Sequence, residues 1–522
     1  MTVGLPTERV ILGRLAFGAS AEDMARLRAQ GAEHWIDEQL APEPGDDAAT
    51  VQRLASVRLR VKYNAGDGYA AVDELRPLTS LDKDIAELWP LTDGKTPVAG
   101  PERQLPRQEV AAATLTRAVH SRWQLREVLV DFWHNHFNIN AAGDNALAVA
   151  LPAYDKTIRA HALGNFRDFL EAIATSTAMP IYLNNRNSRA GIANENYARE
   201  LFELHTLGRD AYLNDLYNRW KDVPGAVQGA PAGYIDQDIY EAARAFTGWV
   251  IEDGSGIGGG QKLASTGRFT YVEAWHDNYQ KRVLATEFDP FQPPQADGRK
   301  VLDLLAAHPA TARFVCTKLC RRLVADEPPA ALVAAAVQVW TDNQKKPDQI
   351  KRVVAAIAKS KEMATTFGAK VKRPLELVAS YARGAGIDLL TTSGLIGELD
   401  NSGQRLFGWA PPTGHPDNMD YWLSSHVLRH RWTLVMGLTE NWWGTGVFSP
   451  TRSLTGNIRA DEAVAQWHGA LTGMPPNPAA VAAILDGMKL PHDELLNQRP
   501  DYEPLTRRMV AYCAMTPTFN LR

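Results

Sequence analysis

Apolar residues recur at helical spacing along most of this chain, and the sharpest instance is SRWQLREVLVDFWHNHFNIN, residues 121–140. Leu125, Val128, Leu129, Phe132 and Trp133 fall on one face, which predicts a core-facing helix over 121–135. Ser121 and Gln124 stand at capping-box spacing, a start signal for it. At about 100° per residue His136 lands on the apolar stripe, and His134 points to the opposite side. The two imidazoles converge only if the helix ends near Asn135, where the polar FNINAAGDN begins. The same periodicity predicts helices over 21–40 and 106–120, a pair split at Gly164, one from Asn194 to Gly208 and one opening at Asp238 with Glu241. HPATARFVCTKLCRRLVAD, with Pro309 in a first-turn position and Ala312, Cys316, Leu319 and Leu323 on one stripe, is another helical segment, and further helices are expected over 329–341, 347–359, 372–384, 393–400, 424–441, 459–472, 478–486 and 501–515. Only RFTYVEAWHDNYQKR alternates in the manner of strands, which gives at most a small β-hairpin near 268–276. The expected fold is therefore all-α, a multi-helix globular bundle with long loops. Three stretches break the pattern: 41–105, an irregular excursion rich in Pro, Gly and Asp; 250–300, a loop and hairpin insertion; and 403–422, a proline-rich aromatic loop suited to packing over a helical surface or to forming a lid.

Composition narrows the classes of function. Of the residues, 45% are hydrophobic and 22% charged, as in an ordinary globular protein. A net charge of −4 leaves no basic stripe for a phosphate backbone, so nucleic acid is not an expected partner. Three cysteines in 522 residues exclude a disulfide scaffold, and Cys316, Cys320 and Cys513 are expected as buried thiols. No apolar run reaches membrane-spanning length, and MTVGLPTERVILGRLAFGAS lacks the cationic start and apolar core of an export signal, so the expected compartment is the cytoplasm. GSGIGGG has neither the strand before it nor the helix after it that a dinucleotide site requires, and no nucleotide cofactor is expected.

The blocks FWHNHFNI, YDKTIRAHALGNFRDFL, NENYARELFELHTLG, EAARAFTGW, WHD, HPATARFVCTKL, GAKVKRPLELV and MTPTFNLR, in this order, resemble the bacterial family catalogued as domain of unknown function 1800. The resemblance runs from LGRLAFGAS to the last residue and implies one mostly helical domain over 1–522, with no settled activity. Some relatives carry export signals and are encoded beside a second exported family. The resemblance therefore also implies a protein partner from a neighbouring gene, with export in its company.

The chemistry-bearing residues on these blocks suggest three readings. In the first, His134 or His136, His205 and His276 gather around a divalent transition metal, with Glu200 and Glu203 supplying oxygen. The protein is then a metal-dependent enzyme, hydrolytic through an activated water or oxidative through an open coordination position, on a small-molecule or polymer substrate. In the second, His136 or His205 is a general base without metal, oriented by Asp277 or Glu203, while Arg199 steadies an anionic group. The third is a non-catalytic binding or assembly protein that holds its partner on Trp422, Trp432, Trp442 and Trp443.

Overall fold

The computed structural model describes residues 7–446 and 448–522. Helices make up 56% of it and strands occur only as antiparallel pairs, so the all-α expectation holds. Among the described residues there are four such pairs. Leu59–Tyr63 pairs with Val72–Arg76 inside the 41–105 excursion, and three more pairs fall between 249 and 288. The alternation at 268–276 is that of one strand, Ser265–Tyr271, whose partner is Trp249–Asp253. Trp249, Val250 and Ile251 are all buried, so this strand covers a ready apolar edge in place of folding back on itself.

Most helices lie within two residues of the periodicity, and the departures have local causes. Gly31, at φ +82°, breaks the 21–40 pattern into Ala21–Gln30 and Ala32–Gln39. The helix of 106–120 starts earlier, at Gly100, with Pro101 in its first turn, where the missing N–H costs nothing. The helix opening at Asp238 likewise starts earlier, at Asp236, and the Asp238 carboxylate accepts the Ile235 N–H at 3.0 Å.

The central helix runs Gln124–His136 and has no capping box. Ser121 Oγ accepts the Trp123 N–H, and the Gln124 amide is spent on tertiary contacts: it accepts Phe17 N–H at 3.0 Å and donates to Ser121 O at 2.8 Å. Leu125, Val128, Leu129 and Trp133 are fully buried, and the indole of Trp133 donates to Ala162 O at 3.0 Å. The helix is wrapped on all sides, because Gln124, Glu127, His134 and His136 are buried as well. One continuous cluster of buried apolar side chains extends from Ile11 to Phe519. No described helix is long and apolar enough to cross a membrane.

Candidate functional site

Each polar residue at the end of the central helix has a different task. His134 Nε2 lies 2.9 Å from Asp155 Oδ1 on the Asn145–His161 helix. Asn135 clamps the 403–422 loop: its side-chain amide donates to His415 O at 2.8 Å and its carbonyl oxygen accepts the His415 N–H at 2.6 Å. Asn138 holds the same loop by donating to Trp409 O and Pro411 O at 3.1 and 2.8 Å. Gly414 makes the clamp possible. Its φ is +72°, and a Cβ there would stand 2.2 Å from Asn135 O.

His136 points inward and is 1% exposed. Its Nε2 lies 3.1 Å from the carbonyl oxygen of His205, which can only accept, so Nε2 carries the proton and Nδ1 offers a lone pair. Nδ1 is buried without a partner. Burial, then the Lys318 ammonium and His205, hold the pKa of His136 well below that of an ordinary histidine.

His205 faces the same interior, with its ring 6.2 Å from that of His136. It arrives there through a change of helix type. Glu195–Glu200 is α-helical, capped by Asn194, and Leu201–His205 is a π-turn. Widening the turn buries Phe202 and leaves Leu204 half-buried, and it takes Glu203 out of i, i+4 register with Arg199. Neither ring nitrogen of His205 has a partner, and burial with the nearby Lys318 pushes its pKa down to about 3.

Lys318 is the residue that periodicity did not single out. It comes from the Pro309–Leu323 helix, is half-buried, and lies 5.3 Å from the centre of the Phe314 ring. Among the described residues its ammonium forms no hydrogen bond or ion pair. Burial lowers its pKa to about 8, against the pull of Asp417 and with help from Arg321. Its nearest sequence signal is the block HPATARFVCTKL, where Lys318 is the cation beside an apolar stripe.

His136 and Lys318, but not His205, border a cavity of about 430 Å³ whose walls also carry Arg321, Arg322, Arg373, Asp326 and Glu327 and which the 413–418 turn completes. Apart from Glu327, which lines the wall, the carboxylates nearby are already committed. Asp131 and Glu376 take Arg322 at 3.2 and 2.6 Å and also face Arg373, and Lys370 takes Asp417 at 3.1 Å and Asp326. Among the described residues Lys318 and Arg321 line the cavity without a carboxylate partner, and Glu327 is the wall carboxylate without a cationic one.

The other expected site residues lie apart from it. His276 is held by Thr247 O at 3.0 Å and by Asp297 at 3.3 Å, and Asp297 also binds buried Lys281. Asp277 pairs with Arg244 at 2.8 Å. Arg199 reaches Glu195 and Asp236, at 3.4 and 3.5 Å. Glu200 is half-buried, and burial and Glu203 raise its pKa to about 7. Of the metal ligands expected from the sequence, the fold thus brings His136 and His205 together and leaves His134, Glu200 and His276 with other neighbours. Among the described residues no three His, Cys, Asp or Glu side chains form a set that could hold a metal ion. Lys318 depresses the protonation of both imidazoles and would repel a dication in the same way. These donors do not fit a metal centre.

Of the four tryptophans, Trp432 and Trp442 are exposed, Trp443 is half-buried and Trp422 is core. A family model described as "Protein of unknown function (DUF1800)" matches residues 10–521. No curated protein and no solved structure matches the chain.

Proposed function

Because the chain belongs to the family described as Protein of unknown function (DUF1800), a description that names no reaction, we propose from the chemistry of its cavity that it is a metal-independent enzyme acting on an anionic substrate, with Lys318 as the anion's counter-charge and His136 as general base. The observation that carries this reading is an unpaired ammonium on the wall of a cavity that is also lined by a neutral histidine with an unpartnered Nδ1. A carboxylate or phosphate of the substrate docks at Lys318, with Arg321 beside it. The proton of a bound water or of the substrate passes to Nδ1 of His136. The imidazolium so formed keeps its Nε2–H on the His205 carbonyl, which fixes the ring, and the bound anion balances its charge. The 413–418 turn shields the transfer from bulk water.

Competitive acylation of lysines near pH 8, mapped by mass spectrometry, tests the binding half. Lys318 has more free amine there than an exposed lysine and reacts early; inorganic phosphate protects it, and Lys318→Met removes any thermal stabilisation by phosphate. Ordinary reactivity with no protection by phosphate or acetate would overturn the reading. Once turnover of a phosphoester or carboxylate substrate is found, His136→Gln abolishes kcat and leaves phosphate protection of Lys318 in place.

A protein partner is the second reading. Its support is Leu428 and Trp432, one helical turn apart and 40% and 47% exposed on the Ser425–Thr439 helix. Co-purification with the product of a neighbouring gene, lost in Trp432→Ser, is the expected result; retention by the variant counts against it.

A further inference from the structure

A second cavity shares no wall residue with the one at Lys318, and its volume of about 1060 Å³ is at the top of the range for small-molecule pockets, roughly 300–1,000 Å³. Its walls come from the Leu40–Asp46 connection, the Ala48–Ser56 helix, residues 78–82 and the Asn145–His161 helix. The lining is apolar on one side, with Leu40, Val51, Leu54, Leu78, Leu81 and Leu163. Val51 on that side is 52% exposed.

The floor is polar and incomplete. Arg117 reaches Asp46 at 2.9 Å, Arg126 reaches Asp46 at 3.4 Å and Glu127 at 3.3 Å, and Arg159 reaches Asp155 at 2.7 Å and Glu127 at 2.9 Å. After these bonds two donor nitrogens remain, Nη1 of Arg117 and Nη2 of Arg159, both buried and without a hydrogen-bond partner. Arg117 Nη1 lies 3.7 Å from Asp155 Oδ2 and Arg159 binds the same oxygen through Nε at 2.7 Å, so both guanidiniums that carry a free donor sit beside one carboxylate. Buried donors are costly when left unmet, which favours any occupant that meets them.

Charge decides what kind of head group that occupant carries. Three guanidiniums already face three carboxylates, Asp46, Glu127 and Asp155, Lys156 pairs with Asp82 at 3.9 Å, and the lining adds one further charge of each sign, Lys351 and Glu43. A further carboxylate or phosphate would enter a balanced site beside ionised Asp155, whereas a carbonyl oxygen has two lone pairs and brings no charge. We propose that this cavity is a second binding site, for a small molecule with an apolar body and an uncharged carbonyl-type acceptor, such as an amide or ester, whose oxygen accepts from Arg117 and Arg159. The proposal is independent of the Lys318 cavity.

Octanamide and octanoate serve as matched probes in titration calorimetry and thermal unfolding of the full chain. Octanamide is expected to bind saturably at one site and to raise the unfolding temperature, with octanoate at least about tenfold weaker. Ala55→Trp, at an exposed position of the wall, fills the cavity and abolishes binding; Val51→Glu places a charge on the apolar wall and weakens it, and both leave the unliganded unfolding temperature near wild type. Absence of saturable octanamide binding, octanoate binding as tight as octanamide, or unchanged affinity in Val51→Glu would each overturn the assignment.

Discussion

His205 offers the most direct physical test of the buried centre. An unfolded histidine takes up its proton near pH 6.5, whereas in the native protein burial and Lys318 push that event down to about pH 3. Between these values the unfolded chain binds the proton and the folded chain does not, so the stability contributed by this group is full above pH 6.5 and drains away as the pH falls toward 3. At pH 4.5, two units below the unfolded value, the loss is roughly 3 kcal/mol. His136, shifted in the same direction, adds to it. In His205→Gln the titrating group is gone. Urea unfolding followed by tryptophan fluorescence at pH 7.5 and pH 4.5 then shows a smaller acid loss in the variant, by about 3 kcal/mol. The many carboxylates titrate alike in both proteins and cancel in the comparison. If His205→Gln loses as much stability on acidification as the wild type, the histidine is not a buried neutral group and the electrostatic picture of the centre is wrong.

Other parts of the structure give further outcomes. Asp155 holds His134, Arg159 and Arg117 at once, so Asp155→Asn leaves buried guanidinium charge uncompensated and lowers stability by about 3–5 kcal/mol in urea unfolding. The exposed pair Arg352–Asp348 serves as control, and Arg352→Ala leaves the urea midpoint near that of the wild type. Gly414→Ala drives a methyl group into Asn135 O and releases the loop, which limited proteolysis reads as new cleavage within 403–422. Glu200 has the opposite sign to His205: with its pKa raised to about 7, the native protein keeps a proton that the unfolded chain has shed, and stability falls as pH rises from about 4.5 to 7. Glu200→Gln flattens that slope in the same unfolding assay.

Helical periodicity carried much of the architecture because one face of each segment must be buried, and for Gln124–His136 it correctly sent the two histidines to different neighbours. It placed His205 inward as well, although the stripe assumed for that segment included Leu204 and omitted Phe202. A π-turn shifts register without any change in the apolar pattern, so its sequence looks like a continuing α-helix. Arg199 accordingly pairs with Glu195 and Asp236 and not with Glu203, four positions on. His276 and Asp277 sit beside each other in sequence yet turn to Asp297 and Arg244, partners supplied by other elements. Lys318 escaped notice because a lysine on a helix is ordinarily a solvated charge; what sets it apart, a missing counter-ion and a facing imidazole, exists only in three dimensions.

The clamp between Asn135 and His415 joins residues 280 positions apart. On a ribosome adding about 5–20 residues per second, Asn135 waits roughly 15–60 s before its partner is made. Throughout that interval the cavity has no roof, and the aromatic end of the central helix lacks the segment that will shelter it. Synthesis in the cell therefore passes through a prolonged half-made form that presents Phe132 and the loop-facing asparagines to the surroundings, the kind of intermediate that chaperones hold.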